Sequence, residues 1–225
     1  MKLLLTSAGV KNPSIHGALV EMLGKPIGES AAVCIPTAMY GHPRAGLDRA
    51  WEFASGRSAE PMVELGWKSV ALLELTALPS LPAEQWTPWV RDADVLLVSG
   101  GDALYLAHWV RESGLADLLP SLERTVWLGM SAGSMVMAPS VGADFIQWRS
   151  GEIEDRALGL VDFAICPHLA APGEPGNSIE EAADWAATMP CPCYAIDDQT
   201  AIRVVDGQVD VVSEGRWERF SGPGR

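Results

Sequence analysis

Short, unbroken apolar runs recur along the chain, separated by longer mixed segments. The runs Lys2–Leu5, Ala31–Ile35, Val70–Leu75, Val95–Ser99, Thr125–Leu128, Asp162–Cys166, Tyr194–Ile196 and Thr200–Val205 predict β-strands. Most lack polar alternation, as expected of strands covered on both faces. Helical patterning falls between them, around Ile15–Leu23, Gly46–Leu65, Leu104–Ser113, Ser131–Ala138 and Ile179–Thr188. Gly114 closes the third of these helices and Pro139 stops the fourth. Strand and helix in alternation predict a mostly parallel sheet with helices on both faces, an α/β architecture. The tail differs: Asp206-Gly207 sits between two β-rich runs and predicts a two-residue hairpin, so the sheet ends in an antiparallel extension. With no repeat, low-complexity tract or linker, residues 1–225 read as one domain.

Composition narrows the partners. Acidic residues outnumber basic ones 29 to 16, for a net charge of −13. Nucleic acid and anionic membrane surfaces both require a cationic face, so neither is expected as a partner. The apolar stretch near the start, Leu3–Leu5, is too short for a secretion signal, and no run approaches a membrane span. Cys34, Cys166, Cys191 and Cys193 lack metal-binding or Cys-x-x-Cys spacing. A reducing, cytoplasmic setting and no bound metal are expected, with Cys191-Pro-Cys193 left unassigned. Nine tryptophans are compatible with a homodimer but locate no interface.

The chemistry concentrates in GMSAGSMVM, which follows the strand TVWL. Gly129-Met130-Ser131-Ala132-Gly133 fits G-x-S-x-G in the strand-before, helix-after context of a nucleophile elbow. Glycines on both sides let the chain turn sharply and raise the Ser131 hydroxyl above the sheet edge. The Ala132 N–H then faces a developing oxyanion, and Gly100-Gly101, at the end of VLLVS, is the candidate second donor. Ligands bind open α/β sheets at this carboxyl edge. Of the four histidines, His16 and His108 fall within helical segments, while His42 and His168 lie just past strand ends. His168, stiffened by Pro167, is favoured over His42 as the general base. For the acid, Asp144 is preferred because it stands between apolar residues. Glu152, Glu154 and Asp155 remain alternatives that spacing cannot separate.

MKLLLTSAG, AAVCIPTA, VLLVSGGDALYLAHWVRESGL, LGMSAGSMVM, GLVDFAICPH and DDQTAIRVVDG together resemble the peptidase E (aspartyl dipeptidase) family of serine peptidases, grouped with cyanophycinase. The resemblance runs nearly end to end. It implies a flavodoxin-like three-layer α/β/α sandwich related to class I glutamine amidotransferases, with no metal or organic cofactor. It also implies Ser131 as nucleophile, His168 as base and an acid a little past the serine, in keeping with Asp144. Gly100 and Gly101 match the family's Gly-Gly turn. Asp102, where the family commonly has asparagine, is the candidate substrate-binding residue. Aspartyl dipeptidases carry an arginine after the histidine that pairs with the substrate's aspartate. Here HLAAPGEPGNSIEEAADW contains no basic residue, leaving Arg44 and Arg149 as candidate cations.

The expected activity is hydrolysis of short peptides, N-terminal Asp-Xaa among them. The alternatives are a cyanophycinase-type β-aspartyl hydrolase and a non-catalytic ligand binder or scaffold of the same fold. An α/β-hydrolase is rejected because only 168 − 131 = 37 positions separate serine and histidine. A glutamine amidotransferase would need a cysteine nucleophile and His-x-Glu, where this chain has Ser131 and His168-Leu169-Ala170.

Overall fold

The computed structural model describes residues 1–145, 147–148, 155–171 and 178–222. Its frame is a seven-stranded sheet built from β1 (Lys2–Thr6), β2 (Ala31–Ile35), β3 (Ser69–Leu72), β4 (Val95–Val98), β5 (Val126–Met130), β8 (Thr200–Val205) and β9 (Gln208–Ser213). Their order is β3-β2-β4-β5-β1-β8-β9. The first five are parallel, and β8 joins β1 antiparallel. Strands β8 and β9 form the expected hairpin, with Asp206 and Gly207 both at positive φ (51° and 77°), as a tight right-twisted turn demands.

Alternate residues of the buried strands face opposite layers, which explains why those runs are apolar throughout. Leu3, Leu5, Val33, Ile35, Leu96, Val98 and Trp127 join one core cluster. It contains residues of α3 (Ala83–Asp92), α4 (Ala103–Glu112) and α5 (Leu115–Leu118). Leu4, Cys34, Val95, Leu97, Val126 and Leu128 join the other, with residues of α1 (Pro13–Leu23) and α2 (Gly46–Ala54). The result is an α/β fold with helices on both sheet faces.

A feature absent from the sequence reading is a second, three-stranded sheet. Strands β6 (Ala164–Cys166) and β7 (Cys193–Ile196) pair in parallel, and β10 (Trp217–Phe220) runs antiparallel to β7. One helix, α7 (Ile179–Thr188), shares a small core with this sheet through Ala182, Trp185 and Ala186. A capping box starts it, with Ser178 Oγ accepting from Glu181 N and Glu181 accepting from Ser178 N.

Several boundaries differ from expectation. Helix α2 ends at Ala54 rather than Leu65, because Gly56 adopts φ 68° and Pro61 has no N–H to continue a helix. Helix α3 was not foreseen because Pro82 and Pro88 obscure it, although Trp86 and Val90, four apart, are its buried stripe. Helix α6 (Ala132–Met135) is one turn, shorter than the expected Ser131–Ala138. Among the described residues no helix is long and apolar enough to cross a membrane.

Candidate active site

Strand register decides which loops meet. Thr6 lies opposite Met130 and Val98 opposite Gly129, so Ser7, Gly100 and Ser131 emerge side by side at one rim of the sheet. Ser131 turns there with φ 49° and ψ −111°, a backbone that side-chain-bearing residues seldom occupy. The glycines of the elbow are required by close approach. A Cβ on Gly129 would overlap the Gly133 carbonyl, and one on Gly133 would overlap the carbonyl of Val98. Hydrogen bonds brace the turn: Ser131 N donates to Thr6 O (3.0 Å), and Ser134 Oγ donates to the same oxygen (2.7 Å). Since α6 has only four residues, its dipole is short.

His168 Nε2 lies 3.1 Å from Ser131 Oγ, and His168 Nδ1 lies 2.8 Å from Asp198 Oδ1. With Nδ1–H donating to the carboxylate, Nε2 is left to accept the serine proton. The hydrogen bond to His168 is the main reason the Asp198 carboxyl is held below the usual aspartate range. Desolvation opposes it, while the His168 charge, the Ser7 hydroxyl and Lys11 assist. His168 also has positive φ (62°), and its N–H donates to Ser7 Oγ (2.8 Å).

The structure does not bring Asp144, the acid expected from the sequence, to His168. Asp144 lies exposed in a single 3-10 turn, Ala143–Phe145, on the wall of the cleft, whereas the oxygen facing His168 Nδ1 belongs to Asp198. Asp155 accepts a hydrogen bond from Ser140. Glu152, Glu154 and Arg149 lie outside the described residues. Sequence reasoning missed Asp198 although a usable signal existed. DDQ follows the apolar run YAI, so it stands at a strand's carboxyl end, as His168 does.

The candidate oxyanion donors converge on the serine. A Cβ built on Gly100 would stand 3.4 Å from Ser131 Cβ. Among the described residues, the N–H groups of Gly100, Gly101 and Ala132 have no hydrogen-bond acceptor. Asp102, the residue expected to bind substrate, has its carboxylate engaged by the protein itself. It lines the cleft, but it is 2% exposed, and its carboxylate accepts from Tyr105 N and Trp148 N, both at 2.8 Å. Capping α4 and fixing Trp148 occupy the group that was expected to bind substrate.

Ser131, His168, Gly100, Gly101 and Asp102 line a cleft of about 920 Å³. Arg44 and Arg49 contribute positive charge to its lining; Asp144, Glu181 and Asp184 contribute negative charge. His42 also lines it, with Nδ1 accepting from Arg44 N at 3.2 Å. His108 instead packs against Trp109 and Trp148. All four cysteines are free and buried, and burial pushes the Cys34, Cys166 and Cys193 thiols up to about 12. Among the described residues no His, Cys, Asp and Glu side chains cluster as a metal site would need.

The profile of peptidase family S51 matches residues 3–212. A peptidase E from Nostoc sp. (strain PCC 7120 / SAG 25.82 / UTEX 2576) is 24% identical over 130 residues, covering 55% of this chain. That match spans about half (54%) of the curated relative's length. A crystal structure described as a candidate peptidase E from Listeria monocytogenes EGD-e superposes with a TM-score of 0.67. It shares 17% identity, over 95% of this chain and 98% of that one. The structure of a peptidase from an acI-B1 Actinobacterium also gives a TM-score of 0.67, at 21% identity, over 99% of this chain and 95% of that one. At these identities the two structures speak to the fold alone.

Proposed function

Because the chain belongs to peptidase family S51, we propose that it hydrolyses short peptides through Ser131, His168 and Asp198. The observation that carries this reading is the unbroken relay from Ser131 Oγ through His168 to Asp198 Oδ1, with links of 3.1 and 2.8 Å. His168 Nε2 takes the hydroxyl proton as Ser131 Oγ attacks the peptide carbonyl carbon. The tetrahedral oxyanion is held by the N–H of Ala132 and that of Gly100 or Gly101. As the C–N bond breaks, His168 returns the proton to the leaving amine, leaving an acyl-serine. Water, deprotonated by the same imidazole, then releases the acid. Asp198 holds the imidazole in the productive tautomer and stabilises its cationic form.

Charges of both signs in the cleft suit a short zwitterionic peptide, whose amine and carboxylate lie within a few bonds of the scissile carbonyl. Arg44 is the favoured candidate for reading an N-terminal aspartate, because it lines the cleft and, unlike Arg49, forms no ion pair among the described residues. A fluorophosphonate probe tests the nucleophile. Stoichiometric labelling, lost in Ser131→Ala, is expected; absence of labelling on folded wild-type protein refutes the reading. A dipeptide and tripeptide library, scored by the N-terminal residue released, then defines specificity. Preference for Asp-Xaa that disappears in Arg44→Ala is the expected result.

A further inference from the structure

One fully buried side chain at the site has no part in the chemistry above and yet touches two of its three members. Ser7, just past β1, donates from Oγ to Asp198 Oδ1 at 2.8 Å and accepts from His168 N at 2.8 Å. A hydroxyl carries one donor and two acceptor sites, so both bonds form at once. His168 Nδ1 lies 3.4 Å from Ser7 Oγ but only 2.8 Å from Asp198 Oδ1, so the ring N–H goes to the carboxylate. Two donors, the imidazole N–H and the Ser7 O–H, therefore converge on a single oxygen. Two such bonds restrain the rotation of the carboxylate more tightly than either alone.

The neighbouring residue completes the picture. The Thr6 carbonyl accepts from Ser131 N at 3.0 Å, while the Ser7 hydroxyl accepts from His168 N at 2.8 Å. Ser131 and His168 both hold positive φ, and each has its N–H fixed by one member of the Thr6-Ser7 pair, the last residue of β1 and the one after it. We propose that Ser7 is a positioning residue of the site, locking His168 to Asp198 and, with Thr6, setting the distance between imidazole and nucleophile. The proposal rests on the hydrolytic reading of the preceding subsection. Ser7 is not among the residues lining the cleft, so its effect reaches the reaction only through His168 and Asp198.

Ser7→Ala leaves the His168 N–H without its acceptor and Asp198 Oδ1 with a single donor. The inactivation rate constant kinact for a fluorophosphonate probe falls about 10- to 100-fold, with KI unchanged. The low-field proton resonance of His168 Nδ1–H, assigned by its loss in Asp198→Asn, shifts or broadens, which a purely structural role would not cause. Ser7→Cys keeps a small side chain with a weak donor and gives an intermediate kinact. It is read in the same way in place of alanine if melting shows the alanine variant unfolded. A folded Ser7 variant in which either kinact or the resonance matches wild type overturns the proposal. Ser131→Ala, run alongside, separates the two ideas. If it labels like wild type the hydrolytic reading falls, and the resonance alone then decides whether Ser7 orders the imidazole and carboxylate.

Discussion

Replacing Asp198 by asparagine removes a charge while keeping shape, and the structure sets the size of the effect. The carboxylate faces an imidazole that becomes cationic during attack, with Nδ1 and Oδ1 2.8 Å apart. Two unit charges about 4 Å apart interact by about 4 kcal/mol at an effective dielectric of about 20. The Asp198 and His168 side chains are 38% and 28% exposed, so water discounts that figure. About 2 kcal/mol remains, or about 30-fold in rate. Tautomer loss adds to it, because an asparagine amide turned towards Nδ1 forces the ring proton onto Nε2, where no serine proton can be accepted. Together the two effects lower kinact for a fluorophosphonate by about 10³- to 10⁴-fold. Asp144→Asn, on the cleft wall, keeps wild-type kinact. Labelling followed by intact-protein mass spectrometry gives kinact directly, and circular dichroism checks folding. If Asp198→Asn labels at the wild-type rate while Asp144→Asn does not, the relay drawn from the geometry is wrong and the acid lies past the serine after all.

Other consequences are open to direct measurement. Asp198 has a lowered folded-state pKa, so its stabilising contribution is complete above the ordinary aspartate range, near pH 4, and is lost as pH falls through the lower folded value. Urea midpoints should therefore drop more steeply on acidification in wild type than in Asp198→Asn, by less than about 1 kcal/mol given the exposure of the pair; parallel curves would contradict this. Gly101 has φ 133°, and a Cβ there would overlap the carbonyl of Ala38, so Gly101→Ala should cost about 3 kcal/mol in urea unfolding. A wild-type midpoint for that variant would disprove the argument. Thiol reagents at mild alkaline pH should leave folded Cys34, Cys166 and Cys193 unmodified, since burial pushes each up to about 12, and should titrate all four cysteines after denaturation. Rapid modification of native Cys193 would show that Cys191-Pro-Cys193 is reactive rather than buried ballast.

The extent to which the site could be read in advance follows from how far each contact reaches along the chain. The elbow was legible because its determinants are local: Gly129 and Gly133 flank Ser131, and the close approach that excludes a side chain at Gly129 is to Gly133 itself. The parallel sheet was legible for a similar reason, since strands buried on both faces must be apolar at every position. His168 was legible as a rare residue type placed just past a strand. Asp198 was not, because 29 acidic residues offer no scarcity and the choice had to rest on environment. A charge between apolar neighbours suggests a paired carboxylate, but at Asp144 the backbone turns in a 3-10 helix and leaves the residue exposed.

What brings Asp198 to His168 is pairing between strands that single-chain patterning leaves open. Cys166 lies opposite Ala195 in the parallel β6–β7 ladder, so His168, two residues beyond the first, and Asp198, three beyond the second, leave adjacent strand tips on the same side. The same register logic joins the other half of the site, where Thr6 opposite Met130 brings Ser7 beside Ser131. Ser7 then bridges the two sheets, with its backbone continuing β1 and its hydroxyl on the residues carried by β6 and β7. A serine at that point in MKLLLTSAG carries no local mark of such a role. Its significance arises only when two ladders, each with its own register, deliver the proposed nucleophile and base to the same rim.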